Sequence, residues 1–403
     1  MRKSIFIVLS YIIYLGQLYS QTGCTDVLAN NYDPLAVQND GSCTYDPVNI
    51  EVNNTYILDP VVEETSGLIY WDDKLWTHND NADTNLYALN PEDGSIIGNI
   101  SLFPQTNTDW EEISQDDGYV YVGDFGNNTQ GNRHDLKIIR ILKSSILNRE
   151  PIMDLINFEY EDQIDFSPQG PNNTDFDCEA LIVTEDNIYL FTKEWVSHKT
   201  RLYKLPKVPG TYSAQLLDSY QIDGLVTGAV YNKEINLIVL SGYSTLLQPF
   251  VELLYDYPDA NFLQGNKRKI NVNLPFHQVE GISSKDGLDY YLTNEKFARS
   301  GTIQQLHTLD LSVFLGGSLE ILPIEDSSRF AIYPNPTDTL LEIKDINKLF
   351  PVKYKLLDNS SRMVSEGILT SKENSIDFSN YPKGFYILKL GEKNKDTYKV
   401  IKK

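Results

Sequence analysis

A chain of 403 residues with 41% hydrophobic side chains can bury more than one core, and its 26 Tyr and 16 Phe against 3 Met favour pleated surfaces over helices. The formal charge of -22 is uneven: from Ser328 onward 14 Lys and Arg face 9 Asp and Glu, so residues 21 to 327 carry about -29. That acidic excess excludes nucleic acid, whose phosphates need cations, and suits an extracellular protein or one that collects divalent cations.

Residues 1–20 have the pattern of a secretory signal peptide: Arg2 and Lys3, an apolar run from Ile5 to Leu15, and the small residue Ser20 at the expected cut. The run is too short to span a bilayer, and no later run approaches eighteen apolar residues, so the mature chain is expected to be exported without a transmembrane segment. Residues 21–46 form a short cysteine-bracketed module. Cys24 and Cys43 are expected to pair in an oxidising compartment. Asp26, Asp33 and Asp40 recur every seven residues among asparagines, as oxygen donors for calcium or as turn residues. "GCTDVLANNYDPLAVQNDGSCTY" resembles a short repeat of exported Bacteroidetes proteins, and the resemblance implies a surface spacer.

Residues 47–327 repeat one pattern: apolar strand, polar turn, apolar strand. It occurs in "ETSGLIYWDDKLWTHND", "DWEEISQDDGYVYVGDFGNN", "DCEALIVTEDNIYLFTKEW", "LVTGAVYNKEINLIVLSGY" and "QVEGISSKDGLDYYLTNEK". These are hairpins, and their equivalent positions are Ser66, Glu111, Glu179, Thr227 and Glu280, spaced 45, 68, 48 and 53 residues apart. Such a period suits four-stranded blades, so the expected fold is all-β: a β-propeller, six blades favoured, followed by a small C-terminal β-sandwich. Pairing of the chain near Ile50 with residues near Leu309 to Leu322 offers a way to close the ring. Helical periodicity is confined to Lys143 to Asn148.

First strands line a propeller's channel, so Glu111, Glu179 and Glu280 are expected to form an acidic ring, with Asp80, Asp124, Glu194 and Glu295 as a second set. Crowded carboxylates need a cation or protons, and calcium at Glu111, Glu179 and Glu280 is the natural occupant. The alternative is that each acid is capped within its own blade by backbone, Arg or Lys. "QVEGIS", "DCEALI" and "DWEEIS" resemble the phytase-like and SdiA-regulated six-bladed propellers, although Ser66 and Thr227 depart from the acidic pattern. The resemblance implies calcium binding and, in some members, hydrolysis of phosphoesters or lactones. Hydrolysis would use a calcium-bound water with Glu111 or Glu280 as base and His277 nearby. His78, Arg133, His134, His198, Lys199, Arg201, Lys296 and Arg299 are the cations that could hold phosphate. No Gly-x-Ser-x-Gly elbow, His-Glu-x-x-His motif or P-loop is present. Cys178, in an apolar strand among acids, is expected to be a buried thiol. Trp71, Trp76, Trp110 and Trp195 either pack between blades or stack on a sugar.

Residues 328–403 alternate as short strands of a β-sandwich. Tyr333-Pro334-Asn335-Pro336, the strand opening Gly384-Phe385-Tyr386 and the basic end "KVIKK" are similar to the C-terminal sorting domain of the type IX (Por) secretion system. The resemblance implies recognition by that machinery and delivery to the cell surface or beyond. Three readings follow: a binding propeller for glycan or protein with structural calcium, a calcium-dependent phosphoesterase or lactonase, and a non-catalytic adhesion or scaffold protein.

Overall fold

The computed structural model describes residues 21–315, 330–345, 351–358, 362–370, 373–391 and 396–403. The expected signal peptide lies outside the described residues.

Each hairpin motif builds the inner half of one antiparallel sheet. Blade one comprises Thr65–Trp71, Lys74–Asn79, Asn85–Leu89 and Ile96–Ser101. Its first turn, Asp72-Asp73, has both residues at positive φ (54° and 56°), the backbone that matches the twist of a two-residue hairpin. Blade two is Trp110–Gln115, Tyr119–Asp124, Lys137–Leu142 and Met153–Tyr160. Blade three is Asp177–Val183, Asn187–Lys193, Thr200–Pro206 and Gly210–Tyr220. Blade four is Leu225–Asn232, Leu237–Tyr243, Pro249–Tyr255 and Asn266–Val272. Blade five takes Val279–Ser284, Asp289–Asn294 and Gln305–Asp310 from the end of the domain and Asn54–Ile57 from its beginning.

The five innermost strands neighbour one another in a closed ring, so the propeller has five blades rather than the favoured six. Dividing length by period overcounts because residues 161–176 cross between blades two and three without adding a sheet. The N-terminal strand completes blade five instead of seeding a sixth. Closure therefore uses Asn54–Ile57, while Asn49–Ile50 pairs along the outer edge of blade four with Asn271 and Val272. Blades two and three are also joined at their rims, where Met153–Tyr160 runs parallel to Gly210–Tyr220 and covers two exposed edges. Apolar side chains fill the wedges between blades, as with Tyr121, Phe158, Leu181, Leu190 and Tyr203 between blades two and three. Helix is confined among the described residues to short pieces, with Lys143–Leu147 where the sequence pattern placed one. No helix of the described residues is long and apolar enough to cross a membrane.

The cysteine-bracketed module, closed by the Cys24–Cys43 disulfide, is seated on blade four. Buried Asp26 accepts hydrogen bonds from Tyr45 (2.7 Å) and from Tyr255 of the blade (2.6 Å), while Thr25 donates to Asp256 (2.7 Å). Asp33 and Asp40 accept the amides of Leu35 and Ser42, which is turn chemistry. The three aspartates thus have separate partners.

In the C-terminal region, Phe330–Tyr333, Leu340–Asp345 and Glu373–Asp377 form one sheet. Met363–Leu369, Val352–Asp358, Gly384–Leu390 and Asp396–Lys402 form the other. Their shared core includes Phe330, Leu341, Leu356, Phe378 and Leu388. Along Gly384–Leu390, Tyr386, Leu388 and Leu390 face inward and alternate with Phe385, Ile387 and Lys389. Asn335 explains part of its motif: its amide donates to the Lys399 carbonyl (2.7 Å) and its side-chain oxygen accepts from the Ile401 amide (2.9 Å), tying the first turn to the last strand.

A chain shortened to begin at Leu58 loses the closing strand of blade five. It is expected to melt at lower temperature, with faster hydrogen exchange at the amides of 305–310. Unchanged protection there would contradict the closure.

Candidate functional site: an acidic channel mouth

The aligned positions share a backbone feature. In blades two to five the hairpin register slips by one residue, leaving Glu111, Glu179, Thr227 and Glu280 unpaired, and in blade one it slips between Ser66 and Ile69. A bulge adds one residue to a strand and re-aims its side chain. Here it breaks the two-residue alternation at equivalent heights in all five blades. The two hydroxyl positions lace neighbouring blades together: Ser66 donates to the Glu111 carbonyl (2.7 Å) and Thr227 to the Val279 carbonyl (2.5 Å).

The three glutamates meet around a cation that the sequence reading missed. Lys193, 3% exposed, is bonded to Glu179 and lies over the rings of Trp195 (4.8 Å) and Tyr243 (5.1 Å). Burial works against the ammonium, yet Glu179 and Glu280 hold its pKa well above the ordinary lysine value. Burial pushes the Glu179 carboxyl up to about 8 despite Lys193. Glu111 and Glu280 are driven well above the carboxylate range by burial and then by their acidic neighbours, although Lys193 opposes this for Glu280. Oε2 of Glu280 is buried with no hydrogen-bond partner. Strand parity could have found Lys193: it ends a strand whose next residue, Glu194, points away to Arg201 (2.6 Å).

Outside this ring, carboxylate oxygens of Glu64, Asp80 and Glu295 all lie within 4.8 Å of one another. Among the described residues no other three His, Cys, Asp or Glu side chains converge so closely. Burial, then Glu64, raises Asp80 to about 6; burial, then Asp80, raises Glu295 to about 8. Glu64 was also missed, because it precedes the first strand of blade one rather than lying in it. Asp109 and Asp177 occupy similar entry positions. Burial, then Asp177, raises Asp109 to about 7, while Asp177 accepts from Trp195 (2.7 Å) and the Asn127 amide (2.6 Å). Gly126 makes room for this crowding, since a Cβ there would collide with a Glu111 oxygen and lie 2.5 Å from an Asp109 oxygen.

Deeper on the axis, fully buried Glu112 accepts the amides of Ala229 of blade four (2.8 Å) and Ile113 of its own blade (2.9 Å). The backbone of Leu181 in blade three and of Leu68 in blade one also faces it and favours its charged form. Burial raises its carboxyl well above the usual range, and these amides oppose that shift.

The other expected site residues separate. Asp124 is neutralised by Arg133 (2.8 Å) and Lys137 (2.7 Å), and Glu194 by Arg201, so the capped alternative holds for both. His277 bonds the Pro275 carbonyl (3.0 Å) and the Gln305 side chain (3.2 Å), neither of them an acid of the ring. His78 is buried, which lowers its pKa to about 4 and keeps it neutral. Trp76 and Trp110 are buried and Trp195 is tied to Asp177, so packing accounts for these three. Cys178 is buried, and burial raises its thiol pKa.

Residues 331–403 match the secretion system C-terminal sorting domain. The chain thus carries the type IX sorting signal, which implies export of a β-rich protein to the cell surface or the extracellular space. No curated protein matches the chain. Among solved structures, one described as PorZ, an essential bacterial surface component of the type IX secretion system of Porphyromonas gingivalis, is 11% identical with a TM-score of 0.31. The alignment covers 83% of this chain and 44% of PorZ, so this chain spans less than half of that protein. A putative glucose dehydrogenase of Thermus thermophilus is 10% identical over 64% of this chain and 99% of its own, with a TM-score of 0.37. The WD40 repeats of RRP9 are 8% identical over 63% and 97%, with a TM-score of 0.33. None of the three carries an argument about function.

Carboxyls with raised pKa bind protons more tightly folded than unfolded, so their contribution to stability is lost as pH rises through the folded values. In chelator, the melting temperature should fall between about pH 5 and about pH 8, as Asp80, Asp109, Glu179 and Glu295 ionise. Lys193→Met should destabilise the chain increasingly as pH rises through about 8, where Glu179 ionises without its counter-ion. A flat profile, or a silent substitution, would contradict this electrostatic picture.

Proposed function

We propose that this is a cell-surface or extracellular binding propeller that holds calcium at its acidic channel mouth and presents it to a glycan or protein ligand. Glu64, Asp80 and Glu295 would supply the outer oxygens, and the unpartnered Oε2 of Glu280 would reach the ion from the ring behind them. Hard oxygen donors in irregular array suit calcium, and the trio is only partly buried, leaving positions for water or ligand oxygens. Glu111 and Glu179 add charge from deeper in the channel. The convergence of this trio beside an unsatisfied buried carboxylate oxygen carries the reading.

Binding has more support than hydrolysis of a phosphoester. Three of the cations that such a substrate would need are committed: Arg133 to Asp124 and Asp135, Arg201 to Glu194 and Asp162, Lys296 to Glu63. Lys193 is buried among three glutamates.

Calcium should raise the melting temperature of the purified chain near neutral pH, since a ligand at a hundred times its Kd contributes about 2.7 kcal/mol. Glu295→Gln should act with opposite signs in two conditions. In chelator it relieves repulsion and stabilises; in calcium it removes a ligand and shrinks the gain. A calcium response that is absent, or unaltered in Glu295→Gln, would refute the site.

A further inference from the structure

The hairpin turns of the blades gather at the other end of the channel, away from the acidic mouth. A cavity of about 220 Å³ there is lined by Tyr70, Val183, Tyr231 and Lys285. It shares Gln115, Val183, Tyr231 and Glu234 with a larger one of about 880 Å³ between blades two, three and four. The larger volume lies in the range of small-molecule sites and has room for a short oligosaccharide.

The charges of this cleft are unequally satisfied. Lys207 pairs with Asp116 (3.0 Å), Lys233 with Asp117 (2.8 Å) and Arg140 with Asp154 (2.7 Å). Lys143 also lines the cleft, and no ion pair among the described residues includes it. Its ammonium donates to the Gln115 side-chain oxygen (2.8 Å) and lies 5.2 Å from the Trp71 ring centre. Burial lowers its pKa to about 8 against the attraction of Asp116 and Asp117, whose carboxylates pair with Lys207 and Lys233 instead. Arg140 stacks on Tyr119 (4.3 Å) and keeps a buried Nε without a partner. The rim adds exposed acceptors, Glu185 and Glu234, and the ring of Tyr231. A cleft with one cation outside its ion pairs, rim carboxylates that can accept from hydroxyls, and aromatic walls is suited to a ring that carries many hydroxyls and one acid.

We propose that this cleft is a second binding site, on the face opposite the acidic mouth, for an oligosaccharide bearing a uronic acid whose carboxylate pairs with Lys143. The rim carboxylates disfavour polyanions such as nucleic acid or polyphosphate, and they provide acceptors for sugar hydroxyls. The site is independent of calcium at the other mouth.

The test uses the purified chain in chelator, which silences the calcium site, with aldotriouronic acid (glucuronic acid on xylobiose) as probe and xylotriose as neutral control. Calorimetry should show the acidic sugar binding at least roughly tenfold more tightly, as expected for a charge-assisted pair, and Lys143→Gln should erase that difference. A second measurement needs no variant: the acidic sugar should protect Lys143 of the unaltered chain from acetylation, read by mass spectrometry, and leave exposed Lys199 reactive. Equal affinity for both sugars, a Lys143→Gln chain that still discriminates, or acetylation of Lys143 indifferent to the sugar would each overturn the proposal.

Discussion

The architecture depends on one buried carboxylate. Fully buried Glu112 accepts amides from blade two and blade four and packs against Gly67 of blade one. A buried polar group is tolerated when its hydrogen bonds are made, and orphaned amides are expensive. One side chain therefore satisfies backbone in two blades at once. It also links strands that are far apart in sequence, since Ile113 and Ala229 meet on the same carboxylate. Gly67 completes the arrangement: its φ of +61° and the 2.9 Å that a Cβ would leave to a Glu112 oxygen require a residue without a side chain.

From that plug outward, the two ends of the channel differ in charge. One end collects Glu64, Asp80, Asp109, Glu111, Asp177, Glu179, Glu280 and Glu295 around the single ammonium of Lys193. Lys193, with Arg133 acting on Asp109, cannot match so many carboxylates, and the remainder must hold protons or attract metal. The other end sets Arg140, Lys143, Lys207 and Lys233 against Asp116, Asp117, Glu185 and Glu234, so its charges are close to balanced. Such polarity gives the two faces different chemistry.

Much of this was legible in the sequence because it depends on local pattern. The five hairpins, the repeated slot at Ser66, Glu111, Glu179, Thr227 and Glu280, and the motif at Tyr333 to Pro336 are short-range signals with a physical cause. The blade count was not, because it depends on where Asn54–Ile57 goes, and that pairing is made across some 250 residues of chain. Site membership was legible by height along the channel but not by direction. Asp124 and Glu194 have the right position along their strands, yet nearby arginines claim them. Lys193 is one residue from Glu194 and points the opposite way. Glu64 opens the first repeat two residues ahead of the slot at Ser66, and Lys143 lies outside the repeat, so only the folded chain brings them to their sites.

Equilibrium unfolding of Glu112→Leu by urea is the most direct measurement. Leucine keeps the volume and removes every acceptor, leaving the buried amides of Ile113 and Ala229 without their partner. A loss of at least about 3 kcal/mol relative to the natural chain is the result predicted here. A loss below about 1 kcal/mol would mean that the blades are held by their apolar wedges alone and that the axial carboxylate is dispensable.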